Sequence, residues 1–340
     1  MTIPSHTVFA DPEFDQKLRQ DGYFVTPLLS SEEVRQLLAL DNALLPDLPS
    51  DFHGTASLPD REHRAQVRHA VAPILHPRVL PLLVGYRNAN TDVLSKGPST
   101  TQGTLGMHQD YSLVNQDRWT GVHVWIPLID VTEDNGCLCV YPGTHSLVNH
   151  ISAMSGPTKQ CYPSPYDSVR SLVEQNCGVR VPMSAGSALF FNERLLHSSG
   201  ENKTPSRRAA VAGAYVPEHE PTYLYSPSGD NPNTLDVLTV ADFNNLQLGD
   251  GEPMPYPYPD GVAKVDTIEY HFEPLTPDQI APLYRPQSRV AELGGHRVKM
   301  DNPTQPVERP PTGHKRSRLV GLVREAKRAL TPGRRSQKAS

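Results

Sequence analysis

The sequence predicts a mainly β domain, a sandwich or barrel with flanking helices, from its proline content and from its short apolar runs. Proline accounts for 34 of 340 residues, which disfavours a helical bundle because proline breaks helix interiors. Several strand-like runs have the length of single strands, and most of them are flanked by Gly, Pro, Asn or Asp, the residues that favour turns. These runs are residues 91–96, 121–128, 137–141, 187–191 and 208–216.

Two helices are predicted ahead of these strands, because each has a recognisable N-terminal cap. Asp11 precedes Pro12, which is the arrangement of a capping carboxylate followed by a proline at the first helical position. Ser30 and Glu33 have the spacing of a capping box, and apolar residues follow them at helical intervals. Residues 23–26, between the two helices, predict a short strand.

The domain organisation is predicted to be one domain over residues 1–310 followed by a basic tail. The strand-rich core covers about residues 10–217, although residues 46–77 carry no strong pattern. Residues 218–310 are rich in Pro, Asp and Tyr, so we expect an irregular extension that shapes a pocket. Residues 311–340 contain nine Lys or Arg and one Glu, a composition typical of an amphipathic or disordered segment.

Composition and charge narrow the classes of partner. The net charge of −5 divides into +8 for the tail and −13 for the remaining 310 residues, which hold 23 basic and 36 acidic residues. An acidic body does not suit nucleic acid, so we expect no nucleic-acid partner and at most a weak contact of the tail with a membrane surface or a protein. The four cysteines include no C-x-x-C pair, which predicts a reducing, cytoplasmic location. Neither a membrane span nor a secretory signal is expected.

One short motif, His108-Gln109-Asp110, has the residue types of a metal site. Residues i and i+2 of a strand point to the same side, so His108 and Asp110 can present an imidazole and a carboxylate to one ion. The motif alone is weak evidence for a metal site, since His271-Phe272-Glu273 offers equivalent chemistry. Downstream, His197 follows an apolar run, and a turn-rich stretch then leads to Arg207 and Arg208.

If the strand that carries His197 paired with the strand that begins at Arg207 and Arg208, a third metal ligand and an arginine would lie side by side. Two histidines and one carboxylate on one face of a metal leave three positions open, which is typical of non-haem Fe(II) oxygenases. Arginine suits the far carboxylate of a chelated 2-oxo acid because its planar fork forms two hydrogen bonds. Arg208 shares its strand face with Ala210 and Ala212, which leaves room for a ligand, but strand parity alone does not exclude Arg207.

In order and spacing, several segments resemble the phytanoyl-CoA dioxygenase family of Fe(II)/2-oxoglutarate-dependent oxygenases. The similarity covers about residues 10–217 and implies a double-stranded β-helix, that is, a jelly-roll or cupin-like barrel. The matching segments are Lys96-Gly97-Pro98, His108-Gln109-Asp110, residues 134–138, 141–145 and 185–190, and residues 197–202 together with Arg208.

The resemblance implies an iron site and a cosubstrate site on particular residues of this chain. The implied iron ligands are His108, Asp110 and His197. The implied 2-oxoglutarate contacts are Arg208, eleven residues after His197, with Ser199, Trp125 and, by a looser match, Asn90. Because halogenating relatives replace the carboxylate ligand with a small residue, the presence of Asp110 disfavours halogenation.

We therefore expect an enzyme that uses Fe(II), 2-oxoglutarate and O2 to hydroxylate or otherwise oxidise an unactivated C–H bond of a small molecule. A secondary metabolite or a lipid-like compound is the expected substrate, with succinate and CO2 released; desaturation or cyclisation stays open. Two alternatives remain: a jelly-roll metal-dependent hydrolase or isomerase, and a non-catalytic binding protein docked by its basic tail. The sequence does not decide whether His123 lines a pocket or packs in the core, whereas His145 is expected to have a structural role.

Overall fold

Two antiparallel sheets form the core of the computed structural model, which describes residues 6–45, 52–99, 103–147, 151–153, 164–228, 231–246 and 254–285. The larger sheet contains β1 (Tyr23–Pro27), β2 (Phe52–Gly54), β3 (Tyr86–Lys96), β5 (Val122–Pro127), β8 (Ser187–Asn192) and β10 (Arg208–Pro217). The smaller sheet contains β4 (Leu105–His108), β6 (Leu138–Val140), β7 (Val179–Val181) and β9 (His197–Ser199). The strand orders are β1-β8-β5-β10-β3-β2 and β4-β9-β6-β7.

The inner faces of the two sheets pack against each other. Trp125, Leu189 and Ala210 of the larger sheet share one buried apolar cluster with Leu138 and Val140 of the smaller sheet. Alternation along the strands explains this layer, since every second side chain of a strand faces the same side. The arrangement confirms the predicted mainly β, jelly-roll fold.

Helices cover the outer face of the larger sheet. They are α1 (Pro12–Asp21), α2 (Ser31–Leu44) and α3 (Arg61–Val79). The Asp11 side chain caps α1, and Ser30 and Glu33 form the complete capping box of α2, so both predicted helix starts are confirmed.

Helix α3 lies within a stretch that the sequence left unassigned. Its two internal prolines, Pro73 and Pro77, each remove one backbone hydrogen bond. The helix nevertheless forms because an apolar stripe repeats at four-residue intervals and is buried in the cluster between the helices and the sheet. The stripe consists of Val67, Val71, Leu75 and Val79. Asp60 caps the first turn by accepting hydrogen bonds from the backbone N–H groups of Glu62 and His63. An aspartate at this position is a sequence signal for the start of a helix.

A third sheet corrects the expectation of irregular structure after residue 217. It contains β11 (Thr222–Ser228), β12 (Asn231–Val240) and β13 (Val262–Glu269), paired in chain order. The prolines of this region fall largely at strand ends and between strands, so they do not prevent the pairing. The remaining helices are short: α4 (Thr144–Leu147), α5 (Arg170–Asn176) and α6 (Pro277–Ile280).

The expected pairing of the strands that carry His197 and Arg208 is also wrong. β9 belongs to the smaller sheet, whereas β10 lies in the larger sheet between β3 and β5. The turn after β8, in which the Leu195 N–H bonds the Asn192 carbonyl at 2.8 Å, separates β9 from the larger sheet. The two strands therefore face each other across the sandwich.

All described residues fall within one structural unit, Met1–Val298. The predicted tail, residues 311–340, lies outside the described residues. Within the described ranges, no helix has the length and apolar character needed to cross a membrane. Cys137, Cys139 and Cys177 are buried free thiols.

Burial of the α3 stripe predicts a specific stability effect. Leu75→Ala removes a fully buried side chain and leaves a cavity, so we expect the free energy of unfolding to fall by about 2–5 kcal/mol. Gln66→Ala, on the exposed side of the same helix, should change it by less than about 0.5 kcal/mol. Urea denaturation monitored by circular dichroism measures both; equal effects would contradict the packing of α3 against the sheet.

Candidate active site

Three side chains with metal-binding atoms converge at one end of the smaller sheet. His108, the last residue of β4, pairs with His197, the first residue of β9, and Asp110 lies two residues further along the chain. Asp110 Oδ1 is 3.8 Å from His108 Nε2 and 3.7 Å from His197 Nε2. Both distances are below about 4.2 Å, the greatest separation of two atoms that each bind one ion at about 2.1 Å. The three ligand atoms all lie within 4.8 Å of one another, as a group that could hold one metal ion.

Backbone hydrogen bonds place a proton on Nδ1 of both imidazoles. His108 Nδ1 donates to the Gly106 carbonyl at 2.7 Å, and His197 Nδ1 donates to the Leu195 carbonyl at 3.0 Å. Because a carbonyl only accepts, the proton lies on Nδ1 and the Nε2 lone pair of each ring is available to a metal. Burial, with a further contribution from His197, lowers the pKa of His108 to about 4, so this ligand is neutral at pH 7.

His123 contacts the metal-binding carboxylate directly. Its Nδ1 is 2.7 Å from Asp110 Oδ2. The closest contacts of His108 and His197 are instead with the other carboxylate oxygen, Oδ1. Burial opposes ionisation of both partners, yet the pKa of His123 is raised by Asp110 and the pKa of Asp110 is lowered by His123 and His197. The contact answers the question left open for His123, which orients Asp110 rather than simply filling the core.

Arg208 faces the interior, whereas Arg207 faces helix α2. Arg207 bonds the Asp41 carboxylate and, at 2.6 Å, the Leu45 carbonyl. Arg208 is 1% exposed, and its Nε and Nη1 have no hydrogen-bond partner among the described residues. Its guanidinium carbon lies 5.3 Å from the centre of the Trp125 ring, a cation–π distance. The two arginines therefore lie on opposite faces of β10, as strand parity predicts, and Arg208 is the one that faces the interior.

Two further predicted contacts, Ser199 and Asn90, occupy different parts of the interior. Ser199 is buried, and its Oγ accepts a hydrogen bond from Lys96 Nζ at 2.7 Å. Asn90 pairs with Ala214, which pairs on its other side with His123, so Asn90 lies toward the metal ligands rather than beside Arg208. Its Oδ1 is buried without a hydrogen-bond partner among the described residues.

Sequence reasoning assigned no role to Lys96, although it noted the Lys96-Gly97-Pro98 segment. The signal was a lysine at the end of a predicted strand of the core, a position where a charge is costly unless it meets a partner. His145 is buried, and its Nε2 contacts the Arg19 carbonyl at 3.1 Å, in agreement with a structural role. His271 is exposed and contacts Glu269. Among the described residues, the His108, Asp110 and His197 group alone brings together three possible metal ligands.

The site fits iron and 2-oxoglutarate on two observations. Two histidines and one carboxylate are the donor set of non-haem Fe(II) oxygenases. The buried, unpartnered nitrogens of Arg208 need an anion that the described part of the chain does not supply, since leaving a buried charge without a partner is costly.

Curated relatives align with this chain over part of their length. The Caenorhabditis elegans protein "Probable phytanoyl-CoA dioxygenase" is 32% identical over 122 residues, which is 34% of this chain and 38% of that protein. The human "Phytanoyl-CoA dioxygenase, peroxisomal" is 32% identical over 94 residues, 27% of each chain. The alignments thus span well under half of these relatives.

Among solved structures, the epimerase SnoN "in complex with Fe3+, alpha ketoglutarate and nogalamycin RO" is 21% identical. The alignment covers 78% of this chain and 96% of that chain, with a TM-score of 0.46, which is too distant to assign a function. The family profile of phytanoyl-CoA dioxygenase (PhyH) matches residues 18–210, more than half of the chain and the whole segment from His108 to Arg208. The chain therefore belongs to the phytanoyl-CoA dioxygenase family.

Proposed function

We propose that this protein is an Fe(II)/2-oxoglutarate-dependent oxygenase that oxidises a C–H bond of a small molecule, with hydroxylation as the expected outcome. The observation that carries the proposal is the presence, in one interior, of a two-histidine, one-carboxylate group and a buried guanidinium whose Nε and Nη1 meet no hydrogen-bond partner among the described residues. A metal-dependent hydrolase or isomerase would need the metal ligands, but its chemistry would not explain the buried arginine.

The metal would be held by His108 Nε2, His197 Nε2 and a carboxylate oxygen of Asp110. Bound iron supplies activation of O2 and oxidation of the C–H bond, chemistry that the side chains themselves cannot perform. His123 fixes the orientation of Asp110 through its 2.7 Å contact, so that one carboxylate oxygen faces the metal position. With three protein ligands, positions stay open for a 2-oxo acid and for O2.

Arg208 would bind the distal carboxylate of 2-oxoglutarate. Trp125 lies against the guanidinium and limits its orientations, which reduces the entropy lost when an anion binds. Ala210 and Ala212, on the same face of β10, leave volume for the cosubstrate. The apolar layer between the sheets limits entry of water, which strengthens the charge interaction.

The proposed overall reaction converts R–H, 2-oxoglutarate and O2 to R–OH, succinate and CO2. One oxygen atom of O2 enters succinate and the other enters the product hydroxyl. The protein's own residues bind and orient the reactants, while Asp110 and the two histidines keep the metal in place.

The third sheet supports a small-molecule pocket on the far side of the metal position. Leu113 and Val114, just after Asp110, share a buried cluster with Leu224 of β11 and Leu238 of β12. The Tyr223 N–H also bonds the Leu113 carbonyl at 2.9 Å. We propose that this sheet shapes the substrate side of the site. A reducing, cytoplasmic location belongs to the same proposal, supported by the three free thiols.

Succinate formation tests the proposed function. Full-length protein incubated with Fe(II), 2-oxoglutarate, ¹⁸O₂ and a metabolite library should release succinate that carries one labelled oxygen. Asp110→Ala removes a metal ligand and should reduce this release by at least about 100-fold. His271→Ala, in the exposed His-x-Glu segment, is the matched control and should leave it unchanged.

Three other outcomes would refute this function. If no candidate substrate yields succinate and the protein shows no Fe(II)-dependent binding of 2-oxoglutarate, the oxygenase assignment is refuted. Turnover with Zn²⁺ or Mn²⁺ and no consumption of 2-oxoglutarate supports a hydrolase or isomerase. Unchanged biological activity of Asp110→Ala supports a non-catalytic binding protein.

The contact between His123 and Asp110 predicts a change in metal affinity. His123→Phe removes the hydrogen bond but keeps a ring, so we expect Fe(II) affinity to fall by about 10–100-fold. Anaerobic calorimetry measures it. His271→Phe should bind Fe(II) like the unmodified protein, and an unchanged affinity of His123→Phe would show that the contact does not hold the carboxylate.

A further inference from the structure

Glu193 and Arg194 are adjacent buried charges in the turn that joins β8 to β9. They are 1% and 6% exposed, and charged residues are rarely buried to this extent unless hydrogen bonds compensate the loss of water. The proposed metal and cosubstrate contacts involve neither residue. The hydrogen bonds that they form therefore indicate a different role.

Asp110 belongs to a segment that strand pairing does not hold. Between β4 and β5, the described residues 109–121 contain no helix or strand. A metal ligand in such a segment needs support from other parts of the fold, because its position decides the affinity for the metal.

The turn supplies this support on both sides of Asp110. Before Asp110, the Gln109 Nε2 donates a hydrogen bond to the Arg194 carbonyl at 3.1 Å. After Asp110, the Leu113 N–H donates to Glu193 Oε2 at 3.1 Å. All of these groups are buried, so water does not compete for them. The segment is therefore attached to one dipeptide both before and after the carboxylate ligand.

Gln116 adds two further bonds between the segment and the turn. Its Nε2 donates to Glu193 Oε1 at 2.8 Å, and its carbonyl accepts a hydrogen bond from Arg194 Nη2. A side-chain amide has two N–H donors, and Gln116 Nε2 also donates to Ser112 Oγ at 2.7 Å. Each carboxylate oxygen of Glu193 thus accepts one hydrogen bond from the segment.

The backbone at Gly121 makes room for the Glu193 carboxylate. A Cβ at this position would overlap Glu193 Oε2, so only glycine fits. The Glu193 N–H also donates to the Gly121 carbonyl at 3.0 Å. Gly121 lies two residues before His123, which contacts Asp110, and Glu193 lies four residues before His197. Glu193 therefore joins the three chain segments that carry Asp110, His123 and His197.

We propose that Glu193 is a positioning residue of the metal centre, which together with Arg194 clamps residues 109–116 and so holds the Asp110 carboxylate near the two imidazoles. The assignment rests on the proposed function, because it takes Asp110 to be a ligand of iron. Without the Glu193 carboxylate, the Leu113 N–H and the Gln116 amide lose their common acceptor, and Asp110 is no longer held in the ligand set.

Metal binding by the full-length protein tests this assignment without turnover. Glu193→Gln keeps the size of the side chain but turns an N–H₂ group toward one of the two donors of the segment. We expect its Fe(II) affinity, measured by anaerobic calorimetry, to fall by about 10–100-fold. The visible spectrum of bound Co(II), which depends on its ligands, should change as well. Glu174→Gln, at an exposed position of α5, is the matched control and should change neither.

An exchange of the two side chains distinguishes positioning from a general loss of packing. In the double variant Glu193→Gln with Gln116→Glu, the amide and the carboxylate trade places, so each donor again meets an acceptor. Its Fe(II) affinity should return to within about threefold of the unmodified protein, and its Co(II) spectrum should return with it.

Other outcomes separate the possible failures. Unchanged Fe(II) affinity and Co(II) spectrum in Glu193→Gln, or a loss that the folded double variant does not recover, overturns the role of Glu193 while the proposed function stands. Failure of the unmodified chain to bind Fe(II) overturns the proposed function and this assignment with it. If Glu193→Gln does not fold, Gln116→Met, which removes one donor and keeps the carboxylate, should lower Fe(II) affinity by about 3- to 10-fold; an unchanged affinity overturns the clamp.

Discussion

Pairing of β4 with β9 is the constraint on which the site depends. The register sets His108 opposite His197 at the edge of the smaller sheet, and the chain after β4 returns Asp110 to the same position. A shift of one residue would turn one imidazole to the other face of the sheet. The backbone carbonyls of Gly106 and Leu195 then fix both ring tautomers, so the local strand geometry also determines which nitrogens can bind a metal.

Charge is distributed unevenly across the interior of the sandwich. At one end, the single carboxylate of Asp110 lies among His108, His123 and His197. At the other end, Lys96 and Arg208 have no acidic partner among the described residues. A divalent metal suits the first end and an anion suits the second, so a ligand that chelates a metal and carries a distal carboxylate satisfies both. Such a ligand binds only the folded chain and therefore stabilises it.

Local signals in the sequence predicted much of the fold. Caps at Asp11 and Ser30 located two helices. Strand parity put Arg207 and Arg208 on opposite faces of β10 without deciding which face is buried, and the spacing from His197 in the resembled family favoured Arg208. Residues 46–77 showed no strong pattern, so α3 was not predicted, and the Pro-, Asp- and Tyr-rich composition after residue 217 wrongly predicted irregular structure. In both regions tertiary burial outweighs the local preference of the sequence. The contacts of His123 with Asp110 and of Lys96 with Ser199 could not be foreseen, since each joins segments whose proximity only the packing of the two sheets creates.

A crystal structure of the full chain with Fe(II) and 2-oxoglutarate, grown without oxygen, tests the central claim most directly. The account predicts iron bound to Nε2 of both sheet-edge histidines and to one oxygen of Asp110, with the distal carboxylate of the acid hydrogen-bonded to Arg208. Iron bound elsewhere, or a carboxylate that leaves the Arg208 guanidinium without a partner, would contradict it.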